Sequence, residues 1–230
     1  MDSPDARQID GLGGADPLTS KVAIIGRSSR PGIDLEYESV EVGITKARVK
    51  HGLMCGNLLS GVGYFDIAEG LIKPQAPVTT VNIYCVTNGK TIVAKVPVNL
   101  DGGLTATGAN KDSLVRLLFC DPGGASTGGL LPAGQAVSRL TLENGSCVEA
   151  SIVDAGVLYI FVRADSLGLN GHKDALTLDA NTAFRASVEW LRARAAALIN
   201  EHRGPRFAPL APSRVKVAIV APPASGDGKG

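Results

Sequence analysis

The sequence has little with which to hold a metal or to build a disulfide framework. Its four cysteines, Cys55, Cys85, Cys120 and Cys147, lie far apart with no Cys-x-x-Cys pair, which argues against a zinc knuckle and against dense cross-linking. The three histidines, His51, His172 and His202, are too scattered to form a metal site by spacing. No excess of either charge exists: 23 Lys and Arg stand against 22 Asp and Glu, a net charge of +1. Without a basic run or basic residues interleaved with aromatics, nucleic acid is not an expected partner. No apolar stretch approaches the roughly 20 residues a membrane-crossing helix needs. The beginning Met1-Asp2-Ser3-Pro4-Asp5 is acidic and polar, unlike a signal peptide. The expectation is a cytoplasmic protein with no membrane partner. The glycine-rich run 123–134 lacks a following Gly-Lys-Ser/Thr and a helical pattern, so it is neither a P-loop nor a dinucleotide fingerprint.

What is present is a globular composition, 44% apolar and 20% charged over 230 residues, enough for one large or two small cores. Its chemistry centres on residues 50–71. Leu58, Leu59, Val62, Phe65, Ile67 and Ala68 give a helix over 56–71 that is apolar on most of its circumference, with Gly61 and Gly63 allowing close backbone approach. Cys55 falls at its start, where unpaired backbone N–H groups and the positive end of the helix dipole favour thiolate over thiol. The same N–H groups, those of Gly56, Asn57 and Leu58, can hold a carboxylate. A buried cysteine acting as a small hydrophobe is the alternative.

Before this helix, residues 1–20 read as a loop in which Gly11, Gly13 and Gly14 reach conformations closed to other residues. Lys21 then opens the apolar run Val22–Ile25, read as a buried strand with the lysine at its mouth. Such a lysine is either a base partly withdrawn from water or an exposed strand-end charge. Lys46, Arg48, Lys50 and His51 form a small basic cluster that either draws in a polycarboxylate or is a solvated face. Val78–Val86 and Thr91–Val98 flank Asn88-Gly89 as a hairpin, and Gln135–Leu142 and Ser146–Val153 flank Asn144-Gly145 as a second. Residues 99–113 read as loop and 115–119 as strand. Thr182–His202 places Phe184, Val188, Leu191, Ala195 and Leu198 on one helical face.

Several motifs in order carry a family resemblance: Ser3-Pro4-Asp5, Gln8-Ile9-Asp10-Gly11-Leu12-Gly13-Gly14, Thr19-Ser20-Lys21, Cys55-Gly56-Asn57-Leu58-Leu59-Ser60-Gly61-Val62-Gly63, Asp121-Pro122-Gly123-Gly124, Thr127-Gly128-Gly129 and Asp154-Ala155-Gly156. Together they resemble the methylaconitate cis-trans isomerases (PrpF) and 4-oxalomesaconate tautomerases, which have the diaminopimelate-epimerase-like fold. The resemblance implies an α+β chain of two strand-rich domains, each wrapped around a central helix. These would be residues 1–120, a first domain lacking its N-terminal segment, and 121–220, an incomplete second domain, with 221–230 a disordered tail. Family members carry an extra Gly-Gly-Thr-Ser-Lys-Gly loop at their start and continue past the strand that Val215–Val220 represents. Val157-Leu158 stand in place of the usual Asn-Pro. The chain therefore reads as the middle of a longer enzyme.

By the same resemblance, Lys21 and Cys55 are the proton-transfer pair, and Gly13, Gly14, Thr19, Ser20, Gly56, Asn57 and Leu58 line the substrate. The implied chemistry is a cofactor-free, metal-free proton shift in a small unsaturated di- or tricarboxylic acid, and a homodimer is compatible with it. Two other readings stay open. One is a non-catalytic remnant acting as a scaffold or interaction protein. The other is an amino-acid racemase or epimerase, which would need a second thiol in a Cys-Gly-Asn setting, and none is present.

Overall fold

The computed structural model describes residues 1–51, 54–104, 114–204 and 207–223. Most of the expected 99–113 loop and of the expected tail therefore lies outside the described residues. The chain divides into two units, Met1–Pro122 and Gly123–Gly230. The fold class is α+β.

In the first unit β1 (Lys21–Arg27), β2 (Leu35–Val42), β4 (Val78–Cys85), β5 (Lys90–Pro97) and β6 (Arg116–Phe119) lie side by side in the order β1-β2-β4-β5-β6, with the short β3 (Val49–Lys50) also paired to β2. β4 and β5 are the first Asn-Gly hairpin, in register from Val78 opposite Pro97 to Cys85 opposite Lys90. The left-handed backbone that closes it falls on Gly89, at φ 70°. Helix α1 (Gly56–Ala68) packs on β1 and β5. Leu59, Val62 and Ile67 join Leu35, Tyr37, Val81, Ile83, Ile92, Ala94 and Val96 in one core. Gly63 is what brings helix and sheet together, since a Cβ there would lie 2.5 Å from Val96 Cγ2.

The structure corrects the expectation of a buried first strand. β1 is an edge strand whose residues alternate between half-buried and exposed, with Val22 at 37% and Ile24 at 50% exposure. A short apolar run does not distinguish a strand covered on both faces from one that lies at a sheet edge.

The second unit is a sheet in the order β10-β9-β8-β7, formed by β7 (Ser138–Thr141), β8 (Cys147–Asp154), β9 (Leu158–Arg163) and β10 (Lys216–Val220). β10 runs parallel to β9, and the other pairs are antiparallel. Two helices precede β10: α2 (Ala175–Ala180), capped by the Asp174 side chain, and α3 (Thr182–Arg203), capped by Asn181. α3 buries Leu191, Ala195, Ala196 and Ile199 against Leu140, Ile152, Ile160 and Val162. The apolar face is thus rotated from the expected one. Phe184 and Val188 are only half-buried, near the helix start, while Ile199 is fully buried. At the end of β8 the buried carboxylate of Asp154 accepts hydrogen bonds from the Ser126 and Thr127 N–H groups and from the Thr127 hydroxyl, at 2.7–2.8 Å. It fixes the glycine-rich run as a structural loop. Among the described residues no helix is long and apolar enough to cross a membrane.

Asp66 is the anomaly of the first core. It sits on the buried side of α1 with no exposure, and neither carboxylate oxygen has a partner among the described residues. Burial disfavours its charged form and pushes its pKa from 3.8 to about 7. An acid whose folded value is raised stabilises the fold fully below the unfolded value, near 4, and loses that contribution as pH rises toward and past 7. The loss approaches roughly 4 kcal/mol above neutrality. Asp66→Ala is expected to abolish this dependence and to make the chain more stable than wild type at pH 8. Urea unfolding at pH 5 and pH 8 measures both. A wild type whose stability rises with pH over this range would contradict the assignment.

Candidate active site

The expected pair is brought together. Lys21, the first residue of β1, places Nζ 3.8 Å from Cys55 Sγ. Both residues are half-buried. Cys55 is the N-cap of α1, with extended backbone (φ −119°, ψ 104°) and no side-chain cap hydrogen bond. The first intrahelical bond runs from Leu59 N–H to the Cys55 carbonyl at 3.0 Å. The N–H groups of Gly56, Asn57 and Leu58 precede it and have no acceptor within the helix. A cation, a thiol and three backbone donors therefore converge at one helix end, an arrangement suited to an anion.

The loop before Lys21 is ordered by its own polar groups. Ser20 is fully buried, with its hydroxyl 2.9 Å from Gln8 Oε1 and 3.2 Å from the Gly13 carbonyl. The Thr19 hydroxyl donates toward the Gly13 carbonyl, and Gly14 takes a left-handed φ of 70°. Gly13 is itself buried, and a Cβ on it would stand 2.2 Å from Gln8 Oε1. Of the loop residues expected to line a substrate, Gly13 and Ser20 thus shape the loop from inside it. Among the residues expected on the helix, Asn57 is exposed, and Gly56 and Leu58 are half-buried.

Two residues outside the expected set bear on the pair. Gln8 holds the loop. Tyr37, on β2, is fully buried and its hydroxyl donates to the Cys55 carbonyl at 3.4 Å. Burial pushes its phenol up to about 12, with the nearby Cys55 and Cys85 acting in the same direction and a hydrogen bond with Ser39 opposing them. Tyr37 therefore remains a neutral donor at physiological pH. Tyr37 lies on the fully buried alternate positions of β2, with Leu35, whereas nothing in the spacing marked Gln8.

Two members of the basic cluster have acidic partners. Lys50 Nζ lies 3.0 Å from Glu41 and His51 Nδ1 2.7 Å from Glu38, so the solvated-face alternative describes these two side chains. Further along β1 and α1, Ala23, Ile25, Leu58, Gly61, Val62 and Phe65 line a cavity of about 390 Å³. Its lining is apolar, so the polar groups of this region are gathered at the helix end instead.

Comparison with known proteins decides the lineage. The sequence model of the PrpF protein family matches residues 1–230. The chain belongs to the PrpF family. It is 38% identical over 233 residues to the (4E)-oxalomesaconate Delta-isomerase of Novosphingobium sp. (strain KA1), covering 98% of this chain and 62% of that one. It is 40% identical over 199 residues to the 4-oxalomesaconate tautomerase of Pseudomonas putida, covering 84% and 54%. Among solved structures it is similar to methylitaconate-delta-isomerase, with a TM-score of 0.68 and 39% identity over 86% of this chain and 52% of the other. The chain thus spans between half and two thirds of the length of these PrpF relatives.

Two glycine substitutions test the local geometry. Gly13→Ala forces a Cβ into the Gln8 amide and is expected to cost about 1–3 kcal/mol. Gly61→Ala adds its methyl where nothing lies within 4 Å and is expected to stabilise α1 by about 0.5–1 kcal/mol. Equal stabilities of the two variants in urea would contradict the loop packing.

Proposed function

We propose that this chain carries the acid–base pair of a cofactor-independent isomerase, which shifts a proton and a double bond in a small unsaturated di- or tricarboxylic acid. The observation that carries the reading is the 3.8 Å approach of Lys21 Nζ to Cys55 Sγ at the N-terminus of α1. Membership of the PrpF family supports the reaction class. So do the relatives, which are named for the isomerisation or tautomerisation of oxalomesaconate, methylitaconate and 2-methylaconitate.

In this reading the Lys21 amine, once it has given up its own proton, removes a proton from carbon adjacent to, or conjugated with, a substrate carboxylate. The electron pair delocalises through the allylic system onto carboxylate oxygen, and the N–H groups of Gly56, Asn57 and Leu58 face the charge that develops. The Cys55 thiol delivers its proton to the far carbon of the allyl unit, and the double bond moves. Lys21 is then an ammonium and Cys55 a thiolate. Their contact lets the proton pass from Nζ to Sγ and restores the starting state with no external acid or base. Gly13, Gly14, Thr19 and Ser20 shape the loop that lies beside the substrate. A working thiol of this kind suits a reducing compartment, so the proposal carries a cytoplasmic location with it.

Proton NMR in deuterated buffer, with methylaconitate, methylitaconate, aconitate and oxalomesaconate in turn, tests the reading. The expected result is loss of one substrate C–H resonance in at least one acid. Lys21→Ala should abolish the exchange, while Cys55→Ser should leave it partial, because removal and return of the proton are separate steps. Undiminished exchange in both variants would sink the assignment.

A further inference from the structure

Gln8 combines three features that a surface loop residue rarely has together. It is 2% exposed, its backbone is left-handed at φ 46°, and its amide is enclosed in the loop that it begins. Oε1 accepts the Ala15 N–H at 2.8 Å and the Ser20 hydroxyl at 2.9 Å. A left-handed conformation is unfavourable for a residue with a side chain. If the backbone geometry were the only requirement, glycine would meet it with less strain. The side chain is therefore what this position needs, and its two accepted bonds show the use: they join the ends of the segment 15–20 to one oxygen.

The segment leads directly into Lys21. The Ser20 carbonyl accepts the Val42 N–H at 2.9 Å, and the next residue, Lys21, is in register with Glu41 of β2. A lysine carries its charge on a flexible four-carbon stem, so the place of its Nζ depends on how firmly its Cα and the preceding peptide are held. Gln8 holds that peptide through the Ser20 hydroxyl, and Gly13 is free of a Cβ where the amide passes.

We propose that Gln8 is a positioning residue that keeps the Lys21 amine against the Cys55 thiol by locking the loop into the start of β1. Gln8 acts through Ser20 and Lys21 and makes no contact with substrate. The inference rests on the proposed Lys21/Cys55 pair, but its test does not require turnover.

The rate of Cys55 alkylation by iodoacetamide, followed against pH on the full chain by peptide-resolved mass spectrometry, reports the charge beside the thiol. Resolution by peptide keeps Cys85, Cys120 and Cys147 out of the measurement. Lys21→Met removes the cation and is expected to slow alkylation at pH 7 by about tenfold and to move the profile to higher pH. Gln8→Ala is expected to move it in the same direction, with at least a threefold loss at pH 7, while Arg7→Ala, an exposed neighbour, leaves it in place. A folded Gln8→Ala protein with the wild-type profile, beside a displaced Lys21→Met profile, would overturn the inference and leave the pair standing. Coincident wild-type and Lys21→Met profiles would overturn both. If Gln8→Ala does not fold, Ser20→Ala, which deletes one of the two bonds into the Gln8 amide, is judged by the same two outcomes.

Discussion

The seating of α1 on its sheet is the constraint on which the rest of the first unit depends. Gly63 lies flush against Val96, with no room for a Cβ between them, and this contact fixes the helix both along its axis and about it. Cys55 is eight residues earlier, about 12 Å along the axis. A slip of one residue would turn the helix by roughly a quarter turn and translate it by about 1.5 Å. Either change is large beside a 3.8 Å contact between Lys21 and Cys55. The thiol is thus placed by apolar packing at a distance, and the lysine by the antiparallel ladder of β1 with β2.

Much of this was legible in the residues. The apolar spacing of 58–68 and the glycines at 61 and 63 identify α1, and the Asn-Gly turns identify both hairpins, because those signals are local and their geometry admits few alternatives. The pairing of Lys21 with Cys55 has no local signal, and only the order of motifs pointed to it. What stayed hidden depends on tertiary context. The exposure of β1 follows from its place at the sheet edge, and the buried face of α3 follows from its packing on the second sheet. Gln8 and Tyr37 act through bonds to residues 12 and 18 positions away. The complete burial of Asp66 likewise depends on how α1 is seated against β1 and β5.

The polar groups along α1 divide by helix end. At the N-terminus, unbonded N–H groups and the dipole favour negative charge, and a lysine stands within reach of the thiol. At the other end, Asp66 would meet the negative end of the dipole with no hydrogen-bond donor among the described residues to stabilise it. Both effects oppose ionisation. The helix therefore carries its anion-accepting character at one end, and burial favours the neutral form of the acid at the other.

Nearby charges extend the same asymmetry. Glu38 and Glu41 on β2 engage His51 and Lys50, so these acids have partners in the adjacent segment. Lys21, although its Cα is in register with Glu41, has its amine at the thiol. Had Glu41 no lysine of its own, it would compete for Nζ, because a carboxylate is a stronger hydrogen-bond acceptor than sulfur. The pairing of Lys50 with Glu41 thus leaves the amine of Lys21 to the helix end.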